Sequence, residues 1–388
     1  MTATNGERAV PSAQAATAAR AAKTNPSNLF GLDYRREAAR FPRLPYPIVD
    51  VHSHVHGRLA TPILAEAMSL YGIGSIYSMT ALEQVETVRS ILGERVRFIS
   101  VPDFAAADRR RAHGEAYAER IERYFAAGAR IAKFWAAPRI VDMAAEAGEP
   151  GLFALDSPLR RDAMETASRL GMVFMTHVAD PDTWFATRYA NAARYGRKLD
   201  HYRPLEALLD RYHTPWIAAH FGGWPEDLAF LDGLLARHPN LHLDTSATKW
   251  VVREISRHPP EAVRDFLTRW EGRILFGSDI VTTDDHLVAR DGKTEMAAKA
   301  STAEDAFDLY ASRYWALRTL WELDHDGPSP ISDPDLAMVD PARHGPADSP
   351  RLRGMRLPAP LLRSLYADAA ARLLDPYHLS ASASPARA

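Results

Sequence analysis

Cysteine is absent from the 388 residues. That excludes disulfide bonds and thiolate metal sites alike. Any bound metal must then be held by imidazole, carboxylate or a modified lysine, a ligand set that suits zinc, manganese or iron. Long apolar runs are also lacking. None approaches the roughly 18 residues of a transmembrane helix, and the Ala/Ser/Thr-rich start, MTATNGERAVPSAQAATAARAAKTNPSN, has no apolar core of signal-peptide length. A cytoplasmic protein is the expectation. Neither sign of charge is in excess: 47 Lys and Arg stand against 49 Asp and Glu, which provides no electrostatic footprint for nucleic acid. No internal repeat is found. No Gly-x-Gly-x-x-Gly turn follows the first apolar run, which disfavours an open dinucleotide-binding sheet.

What is present is a regular alternation. From Tyr46 onward short apolar runs (YPIVDVHSH, IGSIYSMT, RVRFISVP, ARIAKFWA, MVFMTH, PWIAAH, NLHLDTS, RILFGSD) are each followed by a stretch with apolar residues at helical spacing. The runs are short and nearly all apolar, as expected of strands buried on both faces of a parallel sheet. Eight such units predict an α/β fold, a (β/α)8 barrel, somewhat distorted. The expected organisation is a flexible leader over 1–45, the barrel over 46–326, and an irregular excursion with a closing helix over 327–388. Two loops are long: the one after the fifth strand, with Trp184, and the one after the eighth, IVTTDDHLVARDGKTEMAAKAS. Both are expected to cover the barrel mouth.

Barrel enzymes build their sites at the C-terminal ends of the strands. There the first strand places His52 and His54, residues of one parity and so of one face. The fourth carries Lys133, with Arg139 just beyond; the fifth ends in His177, the sixth in His220 and the eighth in Asp279. With 15 histidines in the chain, their concentration at strand ends is specific. Neutral imidazoles and a carboxylate suit a borderline divalent ion, so His52, His54, His177 and Asp279 are the expected ligands of one ion, zinc first and manganese second. Asp279 can also take a proton from water, and His220 is placed to act on the water or on a substrate oxygen. Lys133 is either a carbamate bridging two ions or, with Arg139, a cationic anchor for a substrate carboxylate. Trp184 and Trp224 lie just past strand ends and are expected to line the pocket.

DVHSH, the His closing the fifth strand, AAHFGG and LFGSD together resemble the amidohydrolase superfamily, in particular its amidohydrolase-related branch of aminocarboxymuconate-semialdehyde decarboxylase-like enzymes. The resemblance spans about residues 46–376. It implies a barrel with one divalent metal, the same four ligands, and His220 as catalytic partner. Two reactions stay open: hydrolysis of a lactone, ester or amide by metal-activated water, and non-oxidative decarboxylation of a hydroxybenzoate- or muconate-type acid. The expected partner is a small anionic molecule, with no nucleic acid and no membrane; a homodimer is compatible.

Overall fold

A computed structural model describes residues 25–382. Its strands are β1 (Ile48–His54), β2 (Ile73–Ser78), β3 (Val96–Ser100), β4 (Ile131–Trp135), β5 (Val173–His177), β6 (Trp216–Ala218), β7 (Leu241–Asp244), β8 (Ile274–Leu275) and β9 (Ile280–Val281). From β1 to β8 neighbours in sequence are neighbours in the sheet, and β9 lies beside β1, all parallel, in the order β8-β7-β6-β5-β4-β3-β2-β1-β9. β8 and β9 are two halves of one pass. β8 pairs with β7, Leu243 against Ile274, and β9 pairs with β1, Ser53 against Ile280. Between them Val51 N donates to Phe276 O at 2.9 Å. The ring therefore closes as eight passes, the expected (β/α)8 barrel.

The eighth pass is broken for local reasons. Asp279 adopts the left-handed conformation, φ 60°, which a non-glycine residue holds only at a cost of about 1–3 kcal/mol. A Cβ at Gly277 would lie 3.0 Å from the His52 Cβ and 3.2 Å from that of Ser246, so glycine lets the pass run close beneath His52. Asp50 staples the break. Its Oδ1 accepts from His52 N (3.1 Å) and Ser278 N (3.0 Å), and its Oδ2 accepts from Ser278 Oγ (2.6 Å) and Tyr314 Oη (3.1 Å). Burial still raises its carboxyl to about 7. Asp50 is thus structural, one turn below the metal-type residues on the same strand face.

The core lies inside the barrel and between it and its helices. Ile48, Val51, Ile131, Val173, Phe174 and Trp216 are fully buried, each apolar side chain contributing roughly 1.5–3 kcal/mol relative to exposure. The long helix Ala303–Glu322 is capped by Thr302, whose side chain accepts from Asp305 N at 3.1 Å. It is buried on most sides because it is overlaid by segments outside the barrel. Those segments include half of the expected leader. Residues 1–24 lie outside the described residues, but 25–45 are packed rather than loose. Tyr34 and Phe41 are buried, Tyr34 meets Trp315 edge-on, and Asn28 Nδ2 donates to Asp308 Oδ2 at 2.9 Å. The apolar rings of this stretch have a helix to cover, which is why it orders.

The C-terminal excursion is also tied down. Asp326–Pro328 and Arg351–Arg353 pair antiparallel. Buried Arg253, in the helix Thr248–Ile255, binds Asp333 and Glu254. The closing helices, Ala359–Arg363 and Ala369–Ser382, flank a π turn at Ser364–Asp368, and Phe276 N donates to Leu365 O at 3.1 Å. Among the described residues no helix is long and apolar enough to cross a membrane.

Candidate metal centre

The alternation of β1 sets His52 and His54 side by side, ring centroids 5.7 Å apart. His52 is 1% exposed and His54 32%. Their Nε2 atoms stand 3.5 and 3.3 Å from one Asp279 oxygen. Two donors about 2.1 Å from a single ion at the tetrahedral angle are about 3.4 Å apart, so the three groups have the spacing of ligands to one cation. The left-handed backbone at Asp279 is what turns its carboxylate back toward the histidines.

Behind His52 sits Asp244, fully buried at the end of β7. Its Oδ2 lies 2.7 Å from His52 Nδ1. Because a carboxylate only accepts, Nδ1 carries the proton and Nε2 keeps its lone pair for the ion, the arrangement that orients metal-binding imidazoles. Asp244 Oδ1 accepts from His220 N (2.9 Å), Ser246 N (3.0 Å) and Ser246 Oγ. Burial works to raise the Asp244 carboxyl, but its interactions with His52, His220 and Lys133 prevail and hold it well below the usual range. Burial, with Lys133 nearby, lowers His52 and keeps it neutral.

His220 follows β6 in a left-handed conformation (φ 59°), as does Phe221 (φ 54°). Gly222 and Gly223 complete this turn with positive φ, and a Cβ on Gly223 would lie 3.1 Å from the Ala179 backbone. The Gly-Gly pair is therefore needed for the turn. His220 Nδ1 lies 2.8 Å from Ser246 Oγ, and its Nε2 lies 3.0 Å from His177 Nδ1. His177 Nε2 meets Asp180 Oδ1 at 2.9 Å, and Tyr189 Oη donates to Asp180 Oδ2 at 2.7 Å. His177 donates from Nε2 to Asp180, and His220 donates from Nδ1 to Ser246 Oγ, whose own O–H goes to Asp244, so the bare His177 Nδ1 and His220 Nε2 face each other. Burial, then the His177 neighbour, lowers His220 far below its ordinary value. The rings run His177, His220, His52, His54 around the mouth at centroid distances of 4.5, 5.0 and 5.7 Å.

Two triads have metal-binding spacing among the described residues: His52, His54 and Asp279, and His52, His220 and Asp244. His177 stands outside both, held by His220 and Asp180. Asp279 is pulled upward by burial, but the His54 hydrogen bond and the His220 and His52 neighbours outweigh this and keep it ionised. Lys133 is 3% exposed, and its Nζ has no hydrogen-bond partner among the described residues. Burial lowers its ammonium to about 8, against the pull of Asp244 and Asp279. It belongs to the floor of the centre, not to a rim.

The other expected pocket residues are placed differently. Arg139 is exposed, its guanidinium 5.1 Å from the Trp135 ring. Trp184 donates from Nε1 to Asp335 at 2.8 Å, pinning the loop after β5 to the C-terminal excursion. Trp224 stacks on Tyr202 at 5.9 Å and packs against Lys198. The rings that do meet the histidines are Trp135, 6.2 Å from His177, and Trp250, 6.1 Å from His220. Asp244, Ser246 and Asp180 escaped the sequence reading. Asp244 ends its strand in NLHLDTS, so reading all eight strand ends would have found it. In the loop after β9, Asp284 accepts from the amides of Arg58, Leu59 and Ala60, and His286 bonds Tyr310 and Met296 O. The start of that loop is therefore fixed scaffold.

No family model matches the sequence, and no curated protein matches it significantly. Similar solved structures include an uncharacterised TIM-barrel protein from Bordetella bronchiseptica, 13% identical, covering 86% of this chain and 99% of that one, TM-score 0.45. An amidohydrolase from Burkholderia multivorans with bound HEPES is 13% identical over 84% of this chain and 99% of its own, TM-score 0.35. A 5-carboxyvanillate decarboxylase from Sphingomonas paucimobilis is 11% identical over 70% and 98%, TM-score 0.35. The similar structures thus include an amidohydrolase and a decarboxylase. Likeness at this level carries no chemistry across, which rests on the residues themselves.

Proposed function

We propose that the chain is a metal-dependent hydrolase that opens the carbonyl group of a small lactone, ester or amide. One observation carries this reading: the His52 and His54 Nε2 atoms stand 3.5 and 3.3 Å from one Asp279 oxygen, with Asp244 fixing the His52 tautomer from behind. His52, His54 and Asp279 would hold one divalent ion, zinc by preference or manganese, and the bare Nδ1 of His177 is the candidate fourth donor. Such an ion, when bound, polarises a carbonyl and brings the pKa of a water toward neutrality.

The remaining steps belong to the chain. Asp279, kept ionised, accepts a proton from the attacking water as the water oxygen bonds to the carbonyl carbon. It returns that proton to the leaving oxygen or nitrogen as the old bond breaks. Ser246, whose one O–H goes to Asp244, accepts from His220 Nδ1, which leaves the bare His220 Nε2 to accept a hydrogen bond from the attacking water and orient it. Trp135 and Trp250 flank the reacting group and exclude water. Decarboxylation in the same scaffold is the second reading. It needs a proton donor to carbon, a role that Asp279 or His220 would fill, and the assays below separate it from hydrolysis.

The test is elemental analysis of the purified protein together with assays of the zinc- and manganese-loaded forms. Lactone or ester opening that is lost on chelation and restored by metal supports the proposal. Release of CO2 from hydroxybenzoate-type acids would replace it with decarboxylation. Protein that binds no divalent metal would overturn both. Two ions per chain would instead favour a Lys133 carbamate joined by His177 and His220.

A further inference from the structure

Two cations, Lys299 and Arg313, stand beside Asp279, and a third, Lys249, stands beside those two. Lys249 lies in the helix Thr248–Ile255 after β7, Lys299 ends the turn Ala297–Lys299, and Arg313 lies in the helix Ala303–Glu322. Lys299 and Arg313 line one cavity of about 30 Å³ with Asp279, Met296 and Leu309. A water needs roughly 10–15 Å³ of such space, so the cavity takes about two waters, the size of one carboxylate group. Among the described residues none of the three cations forms an ion pair. Lys299 reaches the Met296 sulfur at 2.9 Å, and Arg313 the Ser27 and Ser312 hydroxyls at 2.9 and 2.8 Å. Lys249 makes no hydrogen bond to a described residue.

The nearby carboxylates are otherwise committed. Asp333 and Asp335, which face Lys249, are taken by Arg253, and Asp335 also by Trp184. Asp279 is engaged with the histidines, and Glu295 is exposed. Burial, then the Lys249 and Arg313 charges, lower the Lys299 ammonium to about 8, so the cluster repels itself. Cations kept for stability in a half-buried place find carboxylates. These three stand without one, at the rim of a centre that would gain two more positive charges from its ion.

We infer that Lys249, Lys299 and Arg313 form an anion subsite that receives a carboxylate of the substrate while its carbonyl lies at the His52–His54–Asp279 centre. This rests on the hydrolase reading for what happens at the carbonyl, but the subsite itself needs no metal. It also moves the anchoring role from Arg139, exposed on Trp135, to a pocket that borders Asp279.

Isothermal titration of the full chain with benzoate, benzamide and inorganic phosphate tests this, on zinc-loaded and chelated protein alike. Benzoate should bind in both forms, and benzamide at least ten-fold more weakly. K299M and K249M should each weaken benzoate at least ten-fold with an unchanged melting temperature, and K299R should restore most of the loss. Benzoate binding indifferent to K299M and K249M, or benzamide binding equal to benzoate, would overturn the inference. Phosphate binding tighter than benzoate would overturn the carboxylate assignment. Metal content of the same samples separates the two readings. Protein without metal whose benzoate site still depends on Lys299 defeats the hydrolase proposal alone; metal-loaded active protein with no Lys299-dependent site defeats the subsite alone.

Discussion

Replacing Asp244 by Asn tests whether a carboxylate that never touches the ion decides whether the ion binds. Asp244 accepts from four groups: His52 Nδ1, His220 N, Ser246 N and Ser246 Oγ. An asparagine has one accepting oxygen and one donating NH2. If the oxygen keeps the two backbone amides, the NH2 faces His52 Nδ1. The imidazole must then accept there and carry its proton on Nε2, the atom aimed at Asp279, so its lone pair is lost to the metal. If the side chain turns the other way, His52 keeps its tautomer but two buried amides face an NH2, at about 1–3 kcal/mol for each group left unsatisfied. The first orientation avoids that loss and should prevail. Removal of such an orienting carboxylate typically lowers metal affinity 10–100-fold, or about 1.4–2.8 kcal/mol. Competition with a chelator of known affinity, read by elemental analysis, measures the change, and circular dichroism checks that the fold is kept. Folded D244N with wild-type metal affinity would refute the tautomer argument, and with it the division of labour between Asp244 and His52.

His220→Ala should retain metal yet lose on the order of 10²–10⁴ in turnover, since His220 Nε2 acts on the reacting oxygen; loss of the metal instead would make His220 a ligand. Gly277→Ala brings a methyl group to 3.0 Å from the His52 Cβ and should destabilise by about 1–3 kcal/mol, with reduced metal occupancy; thermal melting and elemental analysis give both readouts. Lys133→Met removes a buried amine with no hydrogen-bond partner and should leave the melting temperature unchanged or raise it by about 2–4 °C, and a large fall in melting temperature would make Lys133 structural. Arg139→Ala, at an exposed position on Trp135, should change KM by less than about two-fold, given that surface changes act within about ±0.5 kcal/mol; a ten-fold rise would return it to the substrate.

The parts of this protein that could be read from the chain are those set by periodicity. Strands such as Val173–His177 are buried along their length in a parallel ring, so they must be apolar, and a histidine closing such a run stands out against it. The same physics makes Asp244 easy to overlook. Its function depends on His52, 192 residues away, and nothing in NLHLDTS beyond its place at a strand end announces a partner. For Trp184 and Trp224, being just past a strand end fixes where a loop starts, not where its side chains settle. Trp184 settles on Asp335 and Trp224 on Tyr202. The cation cluster was hidden because Lys249, Lys299 and Arg313 belong to three elements whose meeting is a property of the closed ring.

Strain is the remaining link between fold and site. Of the five described non-glycine residues with positive φ, four are His220, Phe221, Ala247 and Asp279, all at the ends of the sixth, seventh and eighth passes. Each costs of order 1–3 kcal/mol, and no local pattern in AAHFGG or LFGSD demands it. What the strain secures is direction. A relaxed extended backbone at Asp279 would continue β8 straight into β9 and carry the carboxylate away from His52 and His54. Four buried contacts on Asp50 hold the bend in place from below. The chain thus spends stability at the three passes where side chains must turn inward and recovers it in the apolar ring beneath. That ring is rigid enough to hold His52 and His54 to the spacing of a single ion.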